Sequence, residues 1–233
     1  SFAQLGYKVG LCDADIYGPS MPTMFGVEGE KPVPVEVNGK QMMKPVKKYG
    51  VKMLSIGFFA DPDQAIVWRG PMASKALKQL FTDATWGDLD FMIIDLPPGT
   101  GDIHLSLVQT IQLSGAVVVS TPQDVALADA RKGVGMFRLE AVNVPVLGMI
   151  ENMAYFIPED APEKKYHIFG RDGVKRLSET IEVPFLGELP LMQTVREAGD
   201  AGRPAVMQTD SDAAAAFKGV VVKLLGVLGK HVD

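Results

Sequence analysis

Two aspartates separated by a single alanine, Asp13 and Asp15, stand in VGLCDADIYGPSMP where an apolar run gives way to a Gly-Pro-Ser turn. On a backbone that stays extended, side chains two residues apart point the same way, so the pair presents two carboxylates on one edge. Two such acids suit a division of labour, one near a metal and one orienting or deprotonating an attacking water. The same residues also suit an Asx-turn into Gly18-Pro19, and both readings stay open. A third aspartate, Asp95, ends the apolar run in FMIIDLPPGTGD. Four apolar residues running into an aspartate read as a Walker B strand, whose carboxylate holds Mg²⁺ through water beside a nucleotide's phosphates. The Pro-Pro-Gly-Thr-Gly turn behind it can bring backbone N–H groups near a γ-phosphate and move when that phosphate leaves. An aspartate at a strand end also serves simply to cap the next turn.

What must position these residues is a parallel sheet, since ligands of open α/β sheets sit outside the carboxyl ends of the strands. Short apolar runs predict strands at Val9–Cys12, Val51–Ile56, Ala65–Trp68, Phe91–Asp95, Ala116–Ser120, Val146–Ile150 and Pro184–Leu186. Helical spacing between them predicts Met72–Thr82, Ile103–Gln112, Asp124–Glu140 with Asp124 as N-cap, Gly170–Thr180 and Asp212–Leu228. This alternation is that of βα units with helices on both faces of a mostly parallel sheet. Val27–Lys48, punctuated by Pro and Gly, reads as a loop or small hairpin, and Ser1–Gly6 as the last turns of a helix that ends at Gly6.

The bulk composition narrows the class. With 233 residues, 47% hydrophobic and 22% charged, the chain suits one α/β domain with a substantial core. A net charge of −5 offers no global attraction to nucleic acid or anionic lipid. The one cysteine, Cys12, rules out an intrachain disulfide framework and fits a reducing compartment. No leader-like N-terminus or membrane-length apolar run is present, so a cytoplasmic, soluble protein is expected, with neither nucleic acid nor membrane as partner. The C-terminal AAAAFKGVVVKLLGVLGK admits a membrane-surface reading, but its few cations and small apolar residues favour a core-packed helix.

Four blocks in order, GYKVGLCDADIYGPSMP, VWRGPMASKAL, DFMIIDLPPGTGD and VLGMIENMAYF with the later HIFG, resemble the Mrp/ApbC group of P-loop ATPases. That group is related to MinD, ParA and nitrogenase iron protein. The resemblance implies a P-loop NTPase fold of the deviant Walker A class, ATP and Mg²⁺ as ligands, and a homodimer that carries iron–sulfur clusters to apo-proteins. It places Asp13 and Asp15 on the switch I aspartates, Asp15 positioning the attacking water. Asp95 falls on the Walker B or switch II aspartate, Gly99, Thr100 and Gly101 on the mobile loop after it, and Asn152 on the asparagine that hydrogen-bonds adenine. Arg69 in WRGP suits a phosphate-sensing or a loop-stapling role. The alternatives from other classes are a MinD/ParA-like positioning ATPase and a non-catalytic dimerisation scaffold.

Two departures accompany the resemblance. The interval AYFIPEDAPEKKY, where the family carries its Cys-x-x-Cys cluster ligands, holds no cysteine. Cys12 reads as a core residue, His167 as structural, and Glu159, Asp160 and Glu163 as solvated carboxylates, so no iron–sulfur ligands are assigned. Nor does any G-x-x-x-x-G-K-[ST] occur in the 233 residues. The expectation is therefore a single P-loop NTPase-like domain, truncated at its N-terminus, lacking its first strand and phosphate loop and inactive by itself.

Overall fold

Strands covered by helices on both faces need apolar residues on both sides of the pleat, and the short Val-, Ile- and Met-rich runs supply them. The computed structural model describes residues 1–59, 70–158, 160–161 and 163–230, and the chain divides into two compact units. The first unit comprises Phe2–Ile111 with Ala198–Pro204. It contains β1 (Val9–Asp13), α1 (Met21–Met24), the hairpin β2 (Val33–Val37) and β3 (Lys40–Lys44), β4 (Val46–Lys48), β5 (Val51–Ser55), α2 (Gly70–Thr82), β6 (Phe91–Asp95) and α3 (Asp102–Thr110). Its sheet has the order β4-β5-β1-β6, parallel except for β4. Alternate residues divide between two cores. Cys12, Leu54, Leu77 and Leu107 are buried in one, while Met53 joins Val27, Val46 and Phe58 in the other.

The second unit is built from the chain between Gln112 and Glu197 and from Ala205 onward. Here β7 (Ala116–Ser120), α4 (Asp124–Phe137), β8 (Val146–Glu151), α5 (Gly173–Thr180) and β9 (Phe185–Glu188) form a three-stranded parallel sheet of order β7-β8-β9. Val134 of α4 and Leu177 of α5 pack with Met149 in one core, and Val220 of α7 (Asp212–Val227) packs with Ile150 and Leu186 in another. The C-terminal helix is thus a packed one, and no helix among the described residues is long and apolar enough to cross a membrane. A short helix, α6 (Gln193–Asp200), falls where the sequence signalled none, because two mostly polar turns are too short for a helical period to stand out.

Several boundaries move. The first strand runs one residue further than predicted, to Asp13, and the Ala14 N–H still bonds the Asp95 carbonyl at 2.9 Å before the chain turns after Asp15. The Val51 strand ends at Ser55, whose hydroxyl accepts the N–H of Gly57 and starts a 3₁₀ turn. Asp124 is the first residue of its helix rather than its N-cap, a position taken by Gln123. That helix ends at Phe137, three residues early. The helix predicted from Gly170 starts at Gly173, since Gly170 (φ +103) and Asp172 (φ +56) are left-handed. Ser1–Gly6 is a turn with a helix-end bonding pattern: Gly6 N–H to Ala3 O at 3.1 Å, Tyr7 N–H to Phe2 O at 3.2 Å, and the Phe2 and Tyr7 rings 6.2 Å apart. Ala65–Trp68, Arg69 and Glu159 lie outside the described residues.

Candidate functional site

In-register pairing brings three strand ends together. Asp13 is opposite Ser55 on β5 and opposite Asp95 on β6, so these polar side chains meet where the parallel strands terminate. Asp13 is 0% exposed. Its Oδ2 accepts the Ser55 hydroxyl at 2.8 Å and the Met21 N–H at 3.2 Å, and its Oδ1 accepts the Asp15 N–H at 3.2 Å. Burial nevertheless raises its pKa above the ordinary carboxylate value, with the hydrogen bonds pulling the other way.

Asp15 is only half-buried and faces a different task. Its Oδ1 accepts the N–H groups of Tyr17 at 3.0 Å and Gly18 at 3.2 Å, an Asx-turn that reverses the chain after the strand. The two aspartates therefore differ, one locked inside the fold and the other holding a turn at its surface. Asp95 completes the group. Burial pushes its carboxyl up to about 6, and the charges of Asp13 and Asp15 add to the shift. No ion pair to any of the three occurs among the described residues.

These carboxylates are oxygen donors of the kind that Mg²⁺ takes. The ion takes hard oxygen ligands and is usually held by one or two carboxylates plus phosphate oxygens and waters, not by an all-protein cage. A carboxylate that burial and neighbouring negative charge have made reluctant to ionise, with no cation ion-paired to it among the described residues, fits that role. Among the described residues no cluster of three or more His, Cys, Asp or Glu forms a self-sufficient metal cage.

Two further residues escaped the sequence reading. Ser55 both donates to Asp13 and accepts from Gly57. His104 of α3, 4% exposed, places Nε2 2.8 Å from the Pro97 carbonyl, so that nitrogen carries the proton and ties the loop after Asp95 to the helix. In that loop Gly99 (φ +98), Thr100 and Gly101 are exposed, with Gly101 as the extended N-cap of α3. Asn152 belongs to the second unit, just past β8. Its N–H donates to Ser120 O at 2.8 Å and its Oδ1 accepts the Met153 N–H at 3.0 Å.

The interval without cysteines is closed by main-chain and ring contacts. Phe156 and Tyr166 exchange backbone hydrogen bonds of 2.8 and 2.9 Å, and Lys165 Nζ lies 4.1 Å from the Tyr155 ring centre. His167 Nδ1 is 3.1 Å from the Ala154 carbonyl, and Asp160 and Glu163 are exposed. Cys12 is fully buried, and burial drives its thiol far above the ordinary range, so it offers no thiolate.

The raised Asp95 has a consequence for stability. Between about pH 4 and 6 the folded protein holds a proton there that the unfolded chain has released, so this stabilisation is complete below pH ~4 and is lost as pH rises through ~6. Asp95→Asn is expected to melt a few degrees above wild type at pH 7, with the gap closing near pH 4. Melting curves across that range check it, and a pH-independent gap would contradict it.

A family model described as NUBPL iron-transfer P-loop NTPase matches residues 1–225. An iron-sulfur cluster carrier protein of Aquifex aeolicus is 50% identical over 236 residues, which cover 100% of this chain and 63% of that protein. The chain thus spans under two thirds of that curated relative's length. Among solved structures, a nucleotide-binding protein of Archaeoglobus fulgidus in complex with ADP superposes with a TM-score of 0.74 at 32% identity, covering 91% of this chain and 80% of that one. MinD of Pyrococcus horikoshii, complexed with Mg-ADP, shares the fold at a TM-score of 0.62 and 22% identity, covering 97% and 86%.

Proposed function

This chain belongs to the NUBPL iron-transfer P-loop NTPase family, and on that premise we propose that it is the switch-bearing part of an ATP-hydrolysing iron–sulfur cluster carrier or assembly factor working as a homodimer. The observation that carries the reading is the meeting of Asp13, Asp15 and Asp95 at the carboxyl ends of registered parallel strands, with Asp95 raised by burial and by the charges of the other two. Asp95 would hold Mg²⁺ through water, and Mg²⁺ when bound draws charge from the phosphate oxygens. Asp15 orients the attacking water and accepts its proton, while buried Asp13 fixes the strand end and the Asp15 N–H. Backbone N–H groups of Gly99, Thr100 and Gly101 meet the γ-phosphate, and His104 anchors the base of their loop at Pro97. Asn152 reads the adenine through its amide.

The glycine-rich phosphate cradle is proposed to come from chain outside the 233 residues. Two facts support this. Among the described residues β6 has one strand neighbour, which leaves one edge of its backbone without a ladder, and the curated relatives are longer than this chain.

The cargo half is tested on the full-length protein by anaerobic reconstitution with iron and sulfide, then transfer to an apo iron–sulfur protein. A visible charge-transfer band and transfer that responds to ATP and Mg²⁺ are expected. Since these 233 residues offer no accessible thiolate, the ligands would come from outside them or from a client. A colourless protein that still hydrolyses ATP would overturn cluster carriage and leave the ATPase.

A further inference from the structure

The second unit carries a groove of about 360 Å³ between α4 and α5 that the nucleotide chemistry does not use. Its walls are residues at i, i+3 and i+7 of α4 (Asp124, Leu127, Arg131) and at i, i+3 and i+4 of α5 (Gly173, Arg176, Leu177). Such spacing puts each set on one helix face, so the trough follows the helices for about two turns, ~10 Å. Its floor is apolar and anchored, since Leu177 is buried in the Met149 core and Leu127 packs against the same core. Its rims are charged. Arg131 and Arg176 are both exposed, and neither has a carboxylate partner among the described residues. Arg176 Nη1 donates only to a main-chain oxygen, that of Arg171, at 2.7 Å. Asp124, the acid that lines the groove, stands at its α4 N-terminal end.

In a chain of net charge −5, two guanidinium groups with no carboxylate partner among the described residues, bordering one apolar trough, form a local reversal of sign. Small-molecule sites converge their polar groups inside a closed cavity, whereas here the polar groups stand on open rims beside an apolar strip. A helix laid between two helices seats its apolar ridge on such a strip, and carboxylates one turn apart on its flanks reach both arginines in forked hydrogen bonds. We propose that the α4–α5 groove docks an acidic amphipathic helix of a partner protein, its apolar ridge on Leu127 and Leu177 and its carboxylates on Arg131 and Arg176.

The probe is a fluorescein-labelled, lactam-stapled helical peptide of about 16 residues, with leucines at i, i+3 and i+7 flanked by glutamates, titrated into the full-length protein. Saturable binding is expected, weakened about tenfold or more by Arg131→Glu with Arg176→Glu, by glutamine in place of the peptide's glutamates, and by raised salt. The double variant should keep the wild-type melting temperature and ATP turnover, because both arginines are exposed and neither is among the residues assigned to the nucleotide or the water. Absence of saturable binding would overturn the proposal, as would equal binding to the variant or by the glutamine peptide. Displacement by millimolar inorganic phosphate would also overturn it and reassign the groove to small anions. Since binding is read without nucleotide, failure here leaves the ATPase reading untouched, and failure of that reading leaves this one untouched.

Discussion

Asp15→Asn in the full-length protein is expected to lower ATP turnover by about 100-fold or more while leaving ATP affinity and melting temperature near wild type. The choice of asparagine follows from the geometry. Asp15 Oδ1 accepts two backbone N–H groups, from Tyr17 and Gly18, and an asparagine carbonyl oxygen serves that Asx-turn equally well. What asparagine lacks is the negative charge and the capacity to take a proton from water. Asp15→Ala, by contrast, removes both the chemistry and the turn, so loss of activity in that variant alone would not separate them. Single-turnover kinetics with a parallel thermal melt make the distinction. Wild-type turnover in Asp15→Asn would reduce Asp15 to a turn-former and remove it from the catalytic assignment.

The largest stability effect is expected at Asp13. Asp13→Ala strands the Ser55 hydroxyl and the Met21 and Asp15 N–H groups around a space that is wholly buried. Unpaired buried donors and the cavity together should cost ~3–5 kcal/mol, or roughly 10 °C in melting temperature for a chain of this size. Ser55→Ala removes one donor to the carboxylate, which keeps its other two bonds, and leaves the Gly57 N–H without its acceptor, so a smaller loss of ~1–2 kcal/mol is expected. A second readout follows from electrostatics. Asp13 is one of the charges that raise Asp95, so its removal should shift the pH window of Asp95 downward. Thermal and urea denaturation across pH measure both, and an Asp13→Ala protein that melts within a degree or two of wild type would contradict the assigned burial.

The elements that hold this site were readable because each strand announces itself. FMII and VGLC are apolar runs of strand length, and an aspartate at the end of such a run stands where parallel sheets bind ligands. The helix ends were less readable. Gln123 took the cap position over Asp124, and left-handed Gly170 and Asp172 delayed α5, because caps depend on which backbone groups the packed neighbours leave free. The different fates of Asp13 and Asp15 were also hidden, since a spacing of two says nothing of how deeply each side chain is buried or which groups it meets. Ser55 and His104 gave no local signal at all. A serine at the end of VKMLS acquires its meaning from Asp13, 42 residues away.

From the order of its residues alone, the chain determined an α/β architecture, the strand ends that carry Asp13, Asp15 and Asp95, and the absence of a thiolate pair between Asn152 and His167. Periodicity, turn chemistry and residue type are local properties, and these conclusions need nothing else. Tertiary structure decided the rest: that β5, β1 and β6 lie side by side in register, that Asp13 is sealed while Asp15 stays at the surface, and that Asp95 is pushed up to about 6. It also decided that Arg131 and Arg176 border one groove. Burial and charge–charge proximity are properties of pairs of distant residues, so they come into existence only when the sheet order and helix packing bring those residues together.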